Sequence, residues 1–147
     1  MIKNIKKKGY VLSKDGGIMD IVTLPFKLGI GGIVGSGLRY MPWIHEEDAC
    51  NMFIKCLEDE TMKGPYNFVA PNIVDNLEFT KSVSLALDRP LTNSIESTVF
   101  SFLFKKDEGK SSYTILEGCR VEPKRMKELN FQYKFPKLRF ALADLYL

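Results

Sequence analysis

Apolar positions along the chain follow two rhythms, short apolar runs and longer stretches in which they recur at helical spacing. Gly9 to Ser13 reads as a short buried strand, closed by the turn signal Lys14-Asp15-Gly16-Gly17. Apolar residues at 18, 21, 22, 24, 26 and 28 predict a helix over Ile18 to Leu28 despite Pro25. A glycine-rich stretch from Gly29 to Gly37 follows, then a strand over Arg39 to His45 and a helix over Glu46 to Leu57. That helix opens with Glu46, Glu47 and Asp48, three acids that suit the positive end of its dipole. Thr61 to Pro65 reads as a turn and Tyr66 to Ala70 as another short strand. Asn76 is the expected N-cap of a helix over Leu77 to Leu87, which Asp88-Arg89-Pro90 ends. Beyond it lie an apolar segment from Ile95 to Phe104, a polar loop from Lys105 to Gly109 and a helix through Thr114 to Leu116. The pattern closes with a turn at Glu122-Pro123, a short helix to Leu129, an aromatic strand around Phe131, Tyr133 and Phe135, and a last helix from Pro136.

Short strands alternating with longer helices predict an α/β fold with parallel pairing, part of a Rossmann-like doubly wound sheet. Parallel sheets are covered on both faces, and so few short strands are expected to be too small for that. The first strand begins almost at the start of the chain. The expectation is therefore a fragment of a larger sheet.

Composition narrows the class. The 147 residues are 45% hydrophobic and 27% charged, the balance of a soluble globular domain rather than a disordered chain. No apolar run reaches the roughly 18 to 20 residues of a membrane span. The basic start, Met1 to Lys8, leads into too short an apolar stretch for a signal peptide, so an intracellular site, cytoplasmic or organellar, is expected. Cys50, Cys56 and Cys119 have neither disulfide nor zinc spacing and read as free thiols in a reducing compartment. The net charge of +3 gathers at the two ends of the chain. Phe131, Tyr133 and Phe135 alternate with polar residues, which is also how a half-buried strand looks, and nucleic-acid binding is not expected.

The glycines at 29, 31 and 35 suggest a dinucleotide loop by spacing alone. A phosphate loop needs a strand before it and a helix N-terminus after it. Here a helical pattern precedes the glycines and the Trp43 strand follows. The stretch reads instead as a turn that lets backbone come close to a ligand or to another segment.

Several segments, in order, resemble one family. Gly9-Tyr10-Val11-Leu12-Ser13 with Asp15-Gly16-Gly17 is similar to its G-V-V-L-S-x-D-G-G, and Leu24-Pro25-Phe26-Lys27-Leu28-Gly29-Ile30-Gly31-Gly32 to its L-P-F-x-L-G-L-G-G. Gly35-Ser36-Gly37 and Pro42-Trp43-Ile44-His45-x-x-Asp48 resemble its G-S-G and W-I-H-x-x-D. Gly64-Pro65-Tyr66-Asn67, Ala70-Pro71-Asn72, Arg89-Pro90, Leu116-Glu117-Gly118 and Pro123-Lys124-Arg125 continue the match. The family is the epimerase-like branch of the extended short-chain dehydrogenases (the 39U type in animals, with bacterial relatives). The resemblance implies two regions: 1–90, the later part of the NAD(P)-binding domain, and 91–147, a small C-terminal domain of the DUF1731 type. Three positions depart from the family's usual choice: Glu46, Arg39 and Cys119.

The resemblance implies a protein about twice this length, whose first half carries the NADP loop and the catalytic groups. None of these is among the 147 residues, so no residue here is assigned catalysis or a metal. The expected function is the substrate-side half of an NADP-dependent epimerase or oxidoreductase, with no cofactor bound by this chain alone. Its expected partners are a small-molecule substrate and either the missing half or a second copy. The alternative is a non-catalytic remnant or small interaction module. Ser13, at a strand's carboxyl end, is the candidate for contact with the cofactor's edge. Gly37, Arg39, Trp43 and His45 are the substrate-side candidates, Arg39 because a guanidinium beside a glycine turn can hold a carboxylate or phosphate with two bonds. For His45 the competing reading is a cap on the Glu46 helix, for Trp43 a core residue, and for Asp48 a first-turn acid.

Overall fold

The computed structural model describes residues 5–92 and 118–147. The segments expected over Ile95 to Phe104, Lys105 to Gly109 and Thr114 to Leu116 lie outside them. Four short strands occur among the described residues, β1 (Ile5–Lys8), β2 (Tyr10–Leu12), β3 (Trp43–His45) and β4 (Tyr66–Phe68). The helices are α1 (Ile18–Lys27), α2 (Glu46–Glu58), α3 (Asn76–Ala86), α4 (Lys124–Glu128) and α5 (Leu138–Tyr146). Among the described residues the four strands pair in parallel, β1 with β4 and β2 with β3. The fold is α/β, as the alternation predicts.

β1 and β2 are one extended run that changes partner at Gly9. The N–H of Gly9 bonds the Phe68 carbonyl at 2.9 Å, and that of Tyr10 bonds the Pro42 carbonyl at 2.7 Å. A Cβ at Gly9 would lie 3.0 Å from the Pro42 oxygen and 3.0 Å from the Trp43 carbonyl carbon. Only a residue without a side chain lets the run pass this close to β3. The β1 stretch was not expected as a strand, because Ile5-Lys6-Lys7-Lys8 carries no alternating pattern. Its pairing with β4 defines it.

Both faces of the strand pair β2–β3 are covered, contrary to the expectation from strand count. Leu12 and Trp43 face a core built with Met19 and Phe26 of α1, Phe79 and Val83 of α3, and Leu138 and Leu142 of α5. Ile44 points the other way, into a core with Met52 of α2, Phe68 of β4 and Met126 of α4. Helices thus sandwich the strands, and residues 118–147 contribute to both cores. The parallel register explains the split, since Tyr10 lies opposite Trp43, Val11 opposite Ile44, and Leu12 opposite His45.

Two local expectations change. Asp75, not Asn76, caps α3, its Oδ1 accepting the Glu78 N–H at 2.8 Å. The alternating aromatics at 131–135 face inward, but this segment forms no strand. The N–H groups of Lys134 and Phe135 bond the Asp48 carboxylate at 2.7 and 2.9 Å, which removes them from any ladder.

Replacing Gly9 with alanine should push apart the β2–β3 contact and lower the unfolding free energy by about 1–3 kcal/mol, the usual cost of overpacking. Urea denaturation checks this, and an unchanged midpoint would show that the run has room for a methyl group.

Candidate functional site

Open parallel sheets place ligands beyond the carboxyl ends of their strands. Here those ends carry Ser13, half-buried after β2, and His45, the last residue of β3. The glycine-rich segment is fastened beside α3 by its own backbone. Gly31 O accepts from the Thr92 hydroxyl at 2.7 Å, and the Val34 N–H bonds Asn76 Oδ1 at 3.1 Å. The Gly37 N–H bonds Val34 O, Gly37 O accepts from the Leu77 N–H, and Arg39 O accepts from the Asn76 N–H. A Cβ on Gly31 would fall 2.2 Å from Phe26 Cδ1, so the segment lies flat on α1. The N–H groups of Val34 and Gly37 are already bonded, and a strand follows where a phosphate cradle uses a helix N-terminus.

The five candidates separate. Gly37 is buried in the crossing, while Arg39 is exposed at its end. Trp43 is 1% exposed and donates its Nε1–H to the Asn72 carbonyl at 3.0 Å. Against Tyr40 lies a residue that sequence reasoning did not single out as a site. The Arg120 guanidinium stands 6.0 Å over the Tyr40 ring and is paired with Glu122 at 3.0 Å. Gly118 sits so close that a Cβ on it would be 2.8 Å from the Arg39 Cβ. Gly118 belongs to the Leu116-Glu117-Gly118 motif, but nothing local joins that motif to residue 39.

His45 is 1% exposed and caps α2, Nδ1 accepting the Glu47 N–H at 3.2 Å. Because Nδ1 accepts, the neutral ring carries its proton on Nε2. That atom lies 3.3 Å from Asp144 Oδ2 of α5, near enough to pair but off line for a hydrogen bond. The Phe135 ring packs on the imidazole with centroids 4.0 Å apart. His45, Glu47 and Asp144 each offer an atom within 4.8 Å of the others, a spacing that suggests a metal. The chemistry does not fit one. The ring's lone pair is spent on the cap, and Glu47 Oε2 is held by Lys134 Nζ at 2.6 Å.

The cluster instead ties α2 to the last segment of the chain. Asp48, fully buried, is satisfied by the Lys134 and Phe135 N–H groups. The Lys134 hydrogen bond holds the Glu47 carboxyl below its ordinary value and the reciprocal bond raises the Lys134 ammonium. Burial, with a smaller contribution from the Asp48 charge, pushes the Tyr133 phenol well above its ordinary range, and its hydroxyl donates to Val69 O at 3.1 Å.

Fold and site together define part of a Rossmann-like α/β protein with its C-terminal helices packed on the sheet. Residues 109–145 match the model of a domain of unknown function, DUF1731. The mouse epimerase family protein SDR39U1 is 38% identical over 142 residues, covering 96% of this chain and 47% of that protein. The Bacillus subtilis epimerase family protein YfhF is 31% identical, covering 98% and 46%. The crystal structure of human SDR39U1 isoform 2 with NADPH superposes with a TM-score of 0.83 at 36% identity, covering 95% of this chain and 46% of that one. The chain is homologous to the carboxy-terminal part of the epimerase family proteins. It spans about half the length of the curated relatives it matches.

Asp48→Ala should leave one buried and one part-buried N–H group unpaired and cost about 2–4 kcal/mol in urea unfolding; a change below 1 kcal/mol would show that water replaces the carboxylate. The Glu47–Lys134 pair gives a pH signature. Glu47 is depressed from 4.5, so its contribution is present above that value and lost as the pH falls through the lower folded one. Lys134 is raised from 10.5, so its contribution is present below that value and lost as the pH climbs through the higher folded one. The stability difference between the native chain and Lys134→Met should therefore close at both extremes. A difference independent of pH would remove the ion pair as its cause.

Proposed function

We propose that this chain is the substrate-side half of an NADP-dependent epimerase or oxidoreductase-like protein and is not catalytic by itself. The supporting observation is its superposition on half of an NADPH-bound relative, with a backbone crossing where a phosphate loop would need a helix N-terminus. In this reading Arg39 presents its guanidinium group to an anionic or hydroxyl-rich small molecule, with Arg120 over the adjacent Tyr40 ring. Ser13 stands at the strand ends where the nicotinamide edge approaches. Trp43 and His45 act from the interior, holding Asn72 and the start of α2 in place. The nucleotide and the groups that move hydride or protons come from another segment.

Calorimetry with NADPH tests the division of labour. The chain alone should give no saturable heat up to about millimolar cofactor, the upper end of ordinary substrate affinities. Micromolar binding would overturn it by placing a cofactor site within these residues.

A further inference from the structure

An open groove of about 720 Å³ runs between α3 and the entry to α5, a size common for small-molecule sites. Its chemistry is lopsided. Lys137 and Arg139 line one side, and among the described residues neither has a carboxylate partner. Arg139 lies with its guanidinium carbon 4.5 Å over the Phe140 ring, which orients the fork without neutralising it.

The floor includes a donor already fixed in position. Asn72 accepts the Leu138 N–H on Oδ1 at 3.1 Å and the Trp43 Nε1–H on its carbonyl at 3.0 Å, so both its side chain and its backbone are held. Its Nδ2 has no acceptor among the described residues and is left for a ligand. Leu85, 81% exposed, supplies an apolar wall on α3. Glu78, one helical turn beyond Ser82 on the same wall, is the single acid of the lining.

We propose that this groove binds a small organic anion, an oxyanion head on a compact apolar body. Lys137, Arg139 and the Asn72 amide take the head, and Leu85 covers the body. Two cations and a held amide line the same groove, donors that a phosphate or carboxylate satisfies with charge-assisted bonds. Glu78 selects against a second negative charge at the far end. The groove's lining includes neither Ser13, Arg39 nor Arg120, so its test reads separately from that of the proposed function.

The test is a heteronuclear amide-shift titration of the full chain with phenyl phosphate, phenylacetate, inorganic phosphate and phenol. Saturable shifts should gather at the Asn72 side-chain amide, Leu85 and Arg139 with phenyl phosphate or phenylacetate, the tighter of the two naming the head group. Inorganic phosphate should bind more weakly, for want of the apolar body, and phenol should not bind. Lys137→Gln with Arg139→Gln should weaken binding about tenfold or more, and Glu78→Gln should tighten it about twofold or more, as removing attractive or repulsive charges requires. All three side chains are exposed, so these variants keep the fold. Shifts scattered over surface lysines, binding of phenol equal to phenyl phosphate, or variants that bind like the native chain would each overturn the site.

Discussion

The carboxylate of Asp48 is fully buried, and everything at the junction of strands and C-terminal helices depends on how that charge is satisfied. A buried carboxylate is tolerated only where hydrogen bonds replace its water. Asp48 obtains two from consecutive N–H groups, and this fixes the path of residues 133–135 across the top of α2. That path sends Tyr133 into one core and Phe135 into the other. It also delivers Leu138 to Asn72, which anchors Trp43, so the end of β3 and the start of α5 share one support. The flanking pairs, Glu47 with Lys134 and His45 with Asp144, are partly exposed and add register rather than much energy.

Much of this was legible in the sequence because it rests on local rules. The helical spacing from Ile18 and the acids after His45 mark α1 and α2 to within a residue or two, and the α/β class follows from their alternation with short strands. The cap role of His45 was equally visible, since a histidine before three acids is placed to accept a first-turn N–H. The failures share a physical cause. The alternation at 131–135 correctly reports which side chains turn inward, but whether such a segment is a strand depends on where its N–H groups go. Their acceptor is 86 and 87 residues away. In the same way β1 is a strand only because β4 lies beside it.

Glycine spacing misleads more than any other feature. Gly29, Gly31 and Gly35 look like a nucleotide loop when only intervals are read. In the fold, Gly31 is where the chain must press on Phe26, and the N–H groups of Val34 and Gly37 are occupied. What distinguishes an anion cradle from a crossing is the availability of donors, which spacing does not encode. Arg39 and Arg120 show the converse. Their segments meet only because Gly118 lets the chain run past Arg39 and so brings Arg120 over the Tyr40 ring, a junction of motifs that look unrelated in sequence.

The interlocking of early and late segments also bears on how this part of the protein is made. The Asp48 clamp and the α3–α5 packing close loops of many tens of residues, and closing a loop costs entropy that grows with its length. Chains rich in such distant pairings fold slowly, because early contacts return little until late ones form. During synthesis, α2 leaves the ribosome with a bare carboxylate and a half-covered sheet. It must wait in that state until the residues around Phe135 emerge, and this interval exposes the strand edges of β2 and β3 to other chains.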